Sequence, residues 1–237
     1  MTAAPAAADE EGMHCEAVVV LVGITADRAK RKAVRRGLSR FRTSDVFVPC
    51  LPYRLGLTVC AVWLRTYLKV RVLPRRYKTI HFVNYIGGRF VFQLAAPFLS
   101  DAGLGRIVYI RSPLQERVPK RLVERYTAFL VLLAKGWGVL ELARMRMDGP
   151  WTSDKTQQEQ GVLVEQEPSY LARKLGLSRA AVPRAAWDHS AMLVGASDVV
   201  DVSVSHDEAY SDPVLLSRIH EFVETGSFGR HEIAHGV

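Results

Sequence analysis

Residues Ala17, Val18, Val19, Val20, Leu21 and Val22 form an unbroken apolar run that ends on Gly23. This run constrains the fold more than any other feature of the chain. A β-branched stretch with no polar residue alternating through it reads as a strand buried on both faces, the situation of a strand inside a parallel sheet covered by helices. Such a strand needs a helical return. From Asp27 to Arg42 the apolar residues Ala29, Ala33, Val34, Leu38 and Phe41 recur at helical spacing, with arginine and lysine on the other face.

The same alternation continues along the chain. Asp45 to Pro49 reads as a short strand. A helix follows from about Leu57 to Val72, with an apolar face that includes Val59, Val62, Trp63, Thr66, Tyr67 and Val70. Thr79 to Val83 is a strand, and Arg89 to Leu99 an apolar helix. Arg106 to Ile110 is again a strand, and Pro119 to Ala134 again a helix. Gly161 to Val164 and Val199 to Val204 are the last strands. The final helix, Pro213 to Glu224, has Ser211 or Asp212 as its N-cap and Gly226 just past its end. The order predicts an α/β class with a doubly wound, mostly parallel sheet. Residues 1–15 read as a flexible leader, 16–228 as one domain, 136–160 as a cap or insertion loop within it, and 229–237 as a tail.

Hydrophobic residues make up 49% of the 237 and charged residues 24%, the profile of a globular protein with a sizeable core. The net charge of +8 favours anionic partners. Part of it lies on the first helix, where Arg31, Lys32, Arg35 and Arg36 form a candidate anionic-contact surface for a membrane or an acidic protein. No aromatic residues are interleaved with these charges, which disfavours nucleic acid. Cys15, Cys50 and Cys60 are too few and too irregularly spaced for a disulfide framework or a zinc site. Reduced thiols point to the cytoplasm. No secretory signal is expected in the leader, and nothing in the sequence calls for a metal or a cofactor.

Four segments, taken in order, resemble the α/β-hydrolase superfamily, in particular its lipase-like and esterase-like members. Val20, Leu21, Val22, Gly23 and Ile24 resemble the strand that leads into the oxyanion-hole loop, with Val22 where the family usually has histidine. Phe82, Val83, Asn84, Tyr85, Ile86, Gly87 and Gly88 resemble the nucleophile elbow, G-x-S-x-G followed by a second glycine. Val108 to Pro113 resemble the strand and Ser-Pro turn after the elbow helix. Val202 to His206, just before Asp212 and Pro213, match the position of the catalytic histidine.

The resemblance implies a hydrolase fold with a small cap, an oxyanion-hole region at Gly23, Ile24 and Ile86, a histidine at His206 and no cofactor. It also implies two departures, since Val83 replaces the elbow's first glycine and Tyr85 its serine. By the resemblance, Pro183 falls where the family's acid belongs. Asp188 and Glu165 lie close by, and Asp188 is taken as the acid. A phenol at the nucleophile position reaches past the oxyanion hole and attacks poorly. The sequence therefore suggests a pseudoenzyme that binds a small apolar or acyl ligand or a protein partner. The alternatives are an esterase or lipase with a displaced nucleophile, and an accessory protein that binds anionic surfaces.

Overall fold

The structure is a computed structural model and describes residues 16–24, 26–41, 43–99, 103–145, 158–189 and 195–229. The expected leader 1–15, and the tail beyond Gly229, lie outside the described residues.

Among the described residues six strands form one sheet, and every pair is parallel. They are β1 (Glu16–Leu21), β2 (Asp45–Phe47), β3 (Thr79–Asn84), β4 (Leu104–Arg111), β5 (Gln160–Glu167) and β6 (Asp198–Ser205). The spatial order is β2-β1-β3-β4-β5-β6. The chain thus runs outward to β2, returns past β1 to β3, and proceeds to the far edge. The carboxyl ends of β1 and β3 meet where the direction of winding reverses, the place where open α/β sheets build their sites.

Helices cover both faces, as the uninterrupted apolar strands require. On one face α2 (Leu57–Tyr67) and α3 (Gly88–Ala95) pack over Leu21, Phe82, Ile107 and Val162. On the other face lie α1 (Arg28–Leu38) and α7 (Pro213–Thr225), over Val20, Val83, Val108 and Leu163. Asp27 caps α1 by accepting from the Lys30 N–H at 2.8 Å, and Asp212, not Ser211, caps α7 through the Leu215 N–H at 2.7 Å. Gly226 closes α7 with φ 81°, as a C-terminal glycine should.

The insertion between β4 and β5 is more ordered than the loop expected over 136–160. It contains α4 (Val118–Lys135) and α5 (Trp137–Arg144), which pack together with α6 (Tyr170–Lys174) in a separate apolar cluster. Residues 146–157 of that range lie outside the described residues. The helix expected over 119–134 is present, but Thr127 breaks its axis with φ 62° and ψ 151°.

The face assigned to the second helix is corrected. Val59, Val62, Trp63 and Val70 are exposed, and Leu57, Cys60, Ala61, Leu64, Leu68 and Val72 form the buried stripe. This helix is apolar nearly all round, so hydrophobic periodicity could not select its inner face. The chain continues from α2 through a wider π-type turn over Leu68–Val72, which carries the buried stripe onward.

Candidate functional site

The bend between β3 and α3 is as sharp as a nucleophile elbow requires. Tyr85 follows β3 directly, its N–H donates to the Leu21 carbonyl at 3.0 Å, and its carbonyl accepts from Arg89 as the helix begins. Gly87 has φ 89°, whereas Tyr85 is not among the positive-φ residues. The left-handed conformation of this bend therefore falls on a glycine, where it is tolerated, and not on the residue in the nucleophile position. Gly88 lets the helix approach the strand, because a Cβ there would stand 2.3 Å from the Leu21 carbonyl oxygen.

The Tyr85 side chain is completely buried. Its hydroxyl donates to the Ala209 carbonyl at 2.9 Å, not to His206. Its ring lies parallel to that of Tyr210, with centroids 4.5 Å apart, and edge-on to His206 at 6.4 Å. The structure thus brings Tyr85 and His206 together without a hydrogen bond between them.

His206 follows β6 in a turn held by Glu208, whose carboxylate accepts from the Ser205 N–H and hydroxyl. Its Nδ1 faces the Glu165 carboxylate at 3.1 Å and 3.2 Å, and both residues are buried. The acid beside His206 is therefore Glu165 and not Asp188, which sits exposed at the end of the turn Arg184–Trp187. The reason lies in the sheet. Glu165 stands on β5 where the register against β6 shifts between Glu165 and Glu167. That irregularity marks the point where the carboxylate meets the residue following β6.

The other ring nitrogen is also occupied. Tyr210 Oη lies 3.1 Å from His206 Nε2. The backbone of Gly23 lies against the same phenol oxygen. With Nδ1–H given to Glu165, Nε2 accepts the Tyr210 proton. A Cβ on Gly23 would meet Tyr210 Oη at 2.9 Å and the Ile86 carbonyl oxygen at 3.0 Å, so glycine is needed there for space. Burial pushes the Tyr210 phenol well above its ordinary pKa, and the nearby Glu165 charge adds to this, while the nearby Gly23 N–H dipole acts in the opposite sense. The Tyr85 phenol is raised in the same way, first by burial and then by Tyr210 and Glu165.

Tyr210 was not legible as a site residue, although it lies one helical turn beyond His206 in sequence. Lys30 passes 5.1 Å above its ring and ion-pairs with Asp207 at 2.9 Å. Asp207 in turn accepts from the Tyr170 N–H at the start of α6, which ties the cap to the site. Val22, in the position where histidine was expected, gives its carbonyl to the buried Tyr53 hydroxyl at 2.7 Å.

Beside His206 lies an apolar cavity of about 30 Å³. Ile24 and Ile86 form its floor, and Leu122, Val139 and Leu142 from the cap helices line it. The remaining candidates stand elsewhere. Arg31 bonds the Ala26 carbonyl at 3.1 Å, and Lys32, Arg35 and Arg36 are exposed on the outer face of α1. Cys60 is buried, and its thiol is pushed up to about 12 by burial and by the Glu141 charge. Among the described residues no group of three His, Cys, Asp or Glu side chains could hold a metal ion.

No protein-family model and no curated protein matches the sequence. Solved structures do match the fold. A lipase-esterase related protein from Clostridium acetobutylicum ATCC 824 has a TM-score of 0.55 at 9% identity, over 88% of this chain and 95% of that one. A type II thioesterase from the yersiniabactin biosynthetic pathway has a TM-score of 0.51 at 13% identity, over 91% and 95%. NosK from Streptomyces actuosus has a TM-score of 0.50 at 13% identity, over 89% and 98%. At these identities the likeness shows the fold, which is that of the α/β-hydrolases.

Proposed function

We propose that this chain, built on the α/β-hydrolase fold, is a non-hydrolytic member of that fold which binds a small apolar or acyl ligand beside His206. One observation carries the reading. Tyr210 Oη is hydrogen-bonded to His206 Nε2 at 3.1 Å and packs against Gly23. The base that acyl transfer would need is thus committed to an internal phenol, which also crowds the glycine of the oxyanion-hole region.

Neither tyrosine is suited to replace serine. Each is buried with its phenol raised, so little phenolate is present at neutral pH. Tyr85 is turned toward the Ala209 carbonyl. What remains is a binding geometry: the cavity under the cap has apolar walls and a few polar atoms at its edge, the pattern of a ligand pocket. Its volume suits the end of an acyl chain and not a fused ring.

The test is labelling with a fluorophosphonate probe. The wild-type protein and Tyr85→Ser alone should both stay unlabelled, because Tyr210 still occupies His206 in the single variant. Tyr85→Ser combined with Tyr210→Ala should gain labelling that disappears with His206→Ala. Labelling of the wild-type protein, lost in His206→Ala, would instead establish the displaced-nucleophile reading. Binding is tested separately with cis-parinaric acid, a fluorescent fatty acid. Its emission should rise with the wild-type protein and not with Leu171→Trp, because Leu171 of α6 also lines the cavity and a tryptophan there would fill it.

A further inference from the structure

From the outer face of α4 and the start of α5 we infer an interfacial surface that seats this protein on an anionic lipid bilayer. The segment Ala128 to Ala134 is apolar at every position, yet only one side of it is used by the fold. Val131 is buried in the cap cluster. Phe129 is 67% exposed, Leu130 53% and Leu133 59%, and Trp137 at the start of α5 is 43% exposed. Large apolar side chains grouped in this way on one face mark an interaction site.

The charges around the face select its partner. The Arg54 guanidinium donates to the Leu133 carbonyl at 3.1 Å, Arg144 lies 5.9 Å from the Trp137 ring, and Lys135, the last residue of α4, is exposed. The carboxylates of the same helices point elsewhere: Glu141 accepts from the Leu57 N–H at 2.6 Å, and Glu124 pairs with Arg121 at 3.2 Å. An apolar stripe bordered by long cationic side chains is the arrangement that lies in the headgroup layer, with the aliphatic stems following the apolar residues inward. The other end of α4 borders a groove of about 250 Å³ whose lining includes Arg117, Lys120 and Arg121, with Glu124 at its edge.

A second copy of the chain is a poorer occupant. A two-fold contact would set this cationic border against itself. The basic helix α1 lacks the apolar half of the pattern, since its exposed side is charged and Val34 and Leu38 are buried. Among the described residues no helix is long and apolar enough to cross a membrane, so the contact is peripheral. The cavity beside His206 lies between the same two helices, so an acyl chain could reach it from the bilayer side.

The experiment is co-sedimentation of the full chain with phosphatidylcholine vesicles, with and without roughly one third phosphatidylglycerol. Binding is expected to the mixed vesicles and not to the neutral ones. Phe129→Ser with Leu133→Ser should lower the partition coefficient by at least about tenfold, and Lys135→Gln by roughly fivefold. Arg35→Gln with Arg36→Gln on α1 should change it by less than about twofold. Brominated lipid should also quench the tryptophan emission of the wild-type protein, and Trp137→Phe should remove most of that quenching. This second readout does not depend on a variant with a weakened cap. Absence of binding to mixed vesicles, or binding lost in the α1 variant and kept in the α4 variant, would overturn the inference. So would self-association without lipid that the α4 substitutions abolish.

Discussion

Replacing Tyr210 with phenylalanine removes a single oxygen and leaves the aromatic stack on Tyr85 in place. That oxygen serves one buried group, His206 Nε2 at 3.1 Å. His206 is 2% exposed and Tyr210 1%, so bulk water cannot take over the bond. A buried polar group left without its partner costs about 1–3 kcal/mol, here about 2 kcal/mol. For a chain of this size that corresponds to a fall in Tm of roughly 6 °C.

Urea unfolding followed by circular dichroism and by tryptophan fluorescence gives the free energy, and calorimetry gives Tm. Tyr85→Phe is the internal control. It removes one hydroxyl that donates to one backbone carbonyl, so the cost is about 1 kcal/mol. If Tyr210→Phe costs less than about 0.5 kcal/mol, or less than Tyr85→Phe, the phenol is not a structural partner of His206. The argument for an occupied site would then fail.

Two further expectations concern other parts of the sheet. His81 is buried and its pKa is lowered below 6.5, first by desolvation, with the Glu16 carboxylate at 3.5 Å opposing the shift and the Arg106 charge adding to it. Its neutral ring accepts the Arg106 N–H at 3.0 Å. A lowered folded-state pKa means stability that is present above 6.5 and lost as pH falls through the folded value, with a slope of at most about 1.4 kcal/mol per pH unit. His81→Asn, which keeps an acceptor, should flatten the urea midpoint against pH between about 7 and 5; an unchanged slope would exclude His81 as the source. Gly88→Ala would place a Cβ 2.3 Å from the Leu21 carbonyl oxygen and 2.8 Å from its Cβ, where backbone must move, and should cost at least about 2 kcal/mol by the same assay.

The sheet was legible because its evidence is local. Buried strands announce themselves as β-branched runs, and Asp27, Asp212 and Gly226 punctuate their helices by chemistry that acts within a few residues. The bend at Tyr85 and the place of His206 followed from the resemblance to a known family. Two site features did not follow, and both are long-range. Glu165 and Asp188 are both carboxylates near a strand end, and only the register shift between β5 and β6 decides which of them meets His206. Tyr210 gave no motif signal, because its place against Gly23, nearly the whole chain away, exists only in the folded sheet. The second helix failed for a different reason. With apolar residues on both sides of α2, the core could have taken either stripe, and packing chose the one containing Cys60, Leu64 and Leu68.

On the proposed reading, the contacts that would disarm the site also hold the molecule together there. Glu165 on β5, His206 after β6 and Tyr210 in the following turn form one hydrogen-bonded chain that ends against Gly23 after β1. In a working triad the last bond must be exchangeable, because the base has to receive a proton and the oxyanion donor has to receive charge during each turnover. Here the base is satisfied within the fold and buried together with Tyr85 and Tyr210. A buried polar network fully satisfied in one arrangement gains rigidity and loses the freedom that catalysis requires. A change that restores exchange at His206 must therefore lower stability. For that reason the Tyr85→Ser/Tyr210→Ala protein should be the least stable of the site variants, and also the one that acquires reactivity.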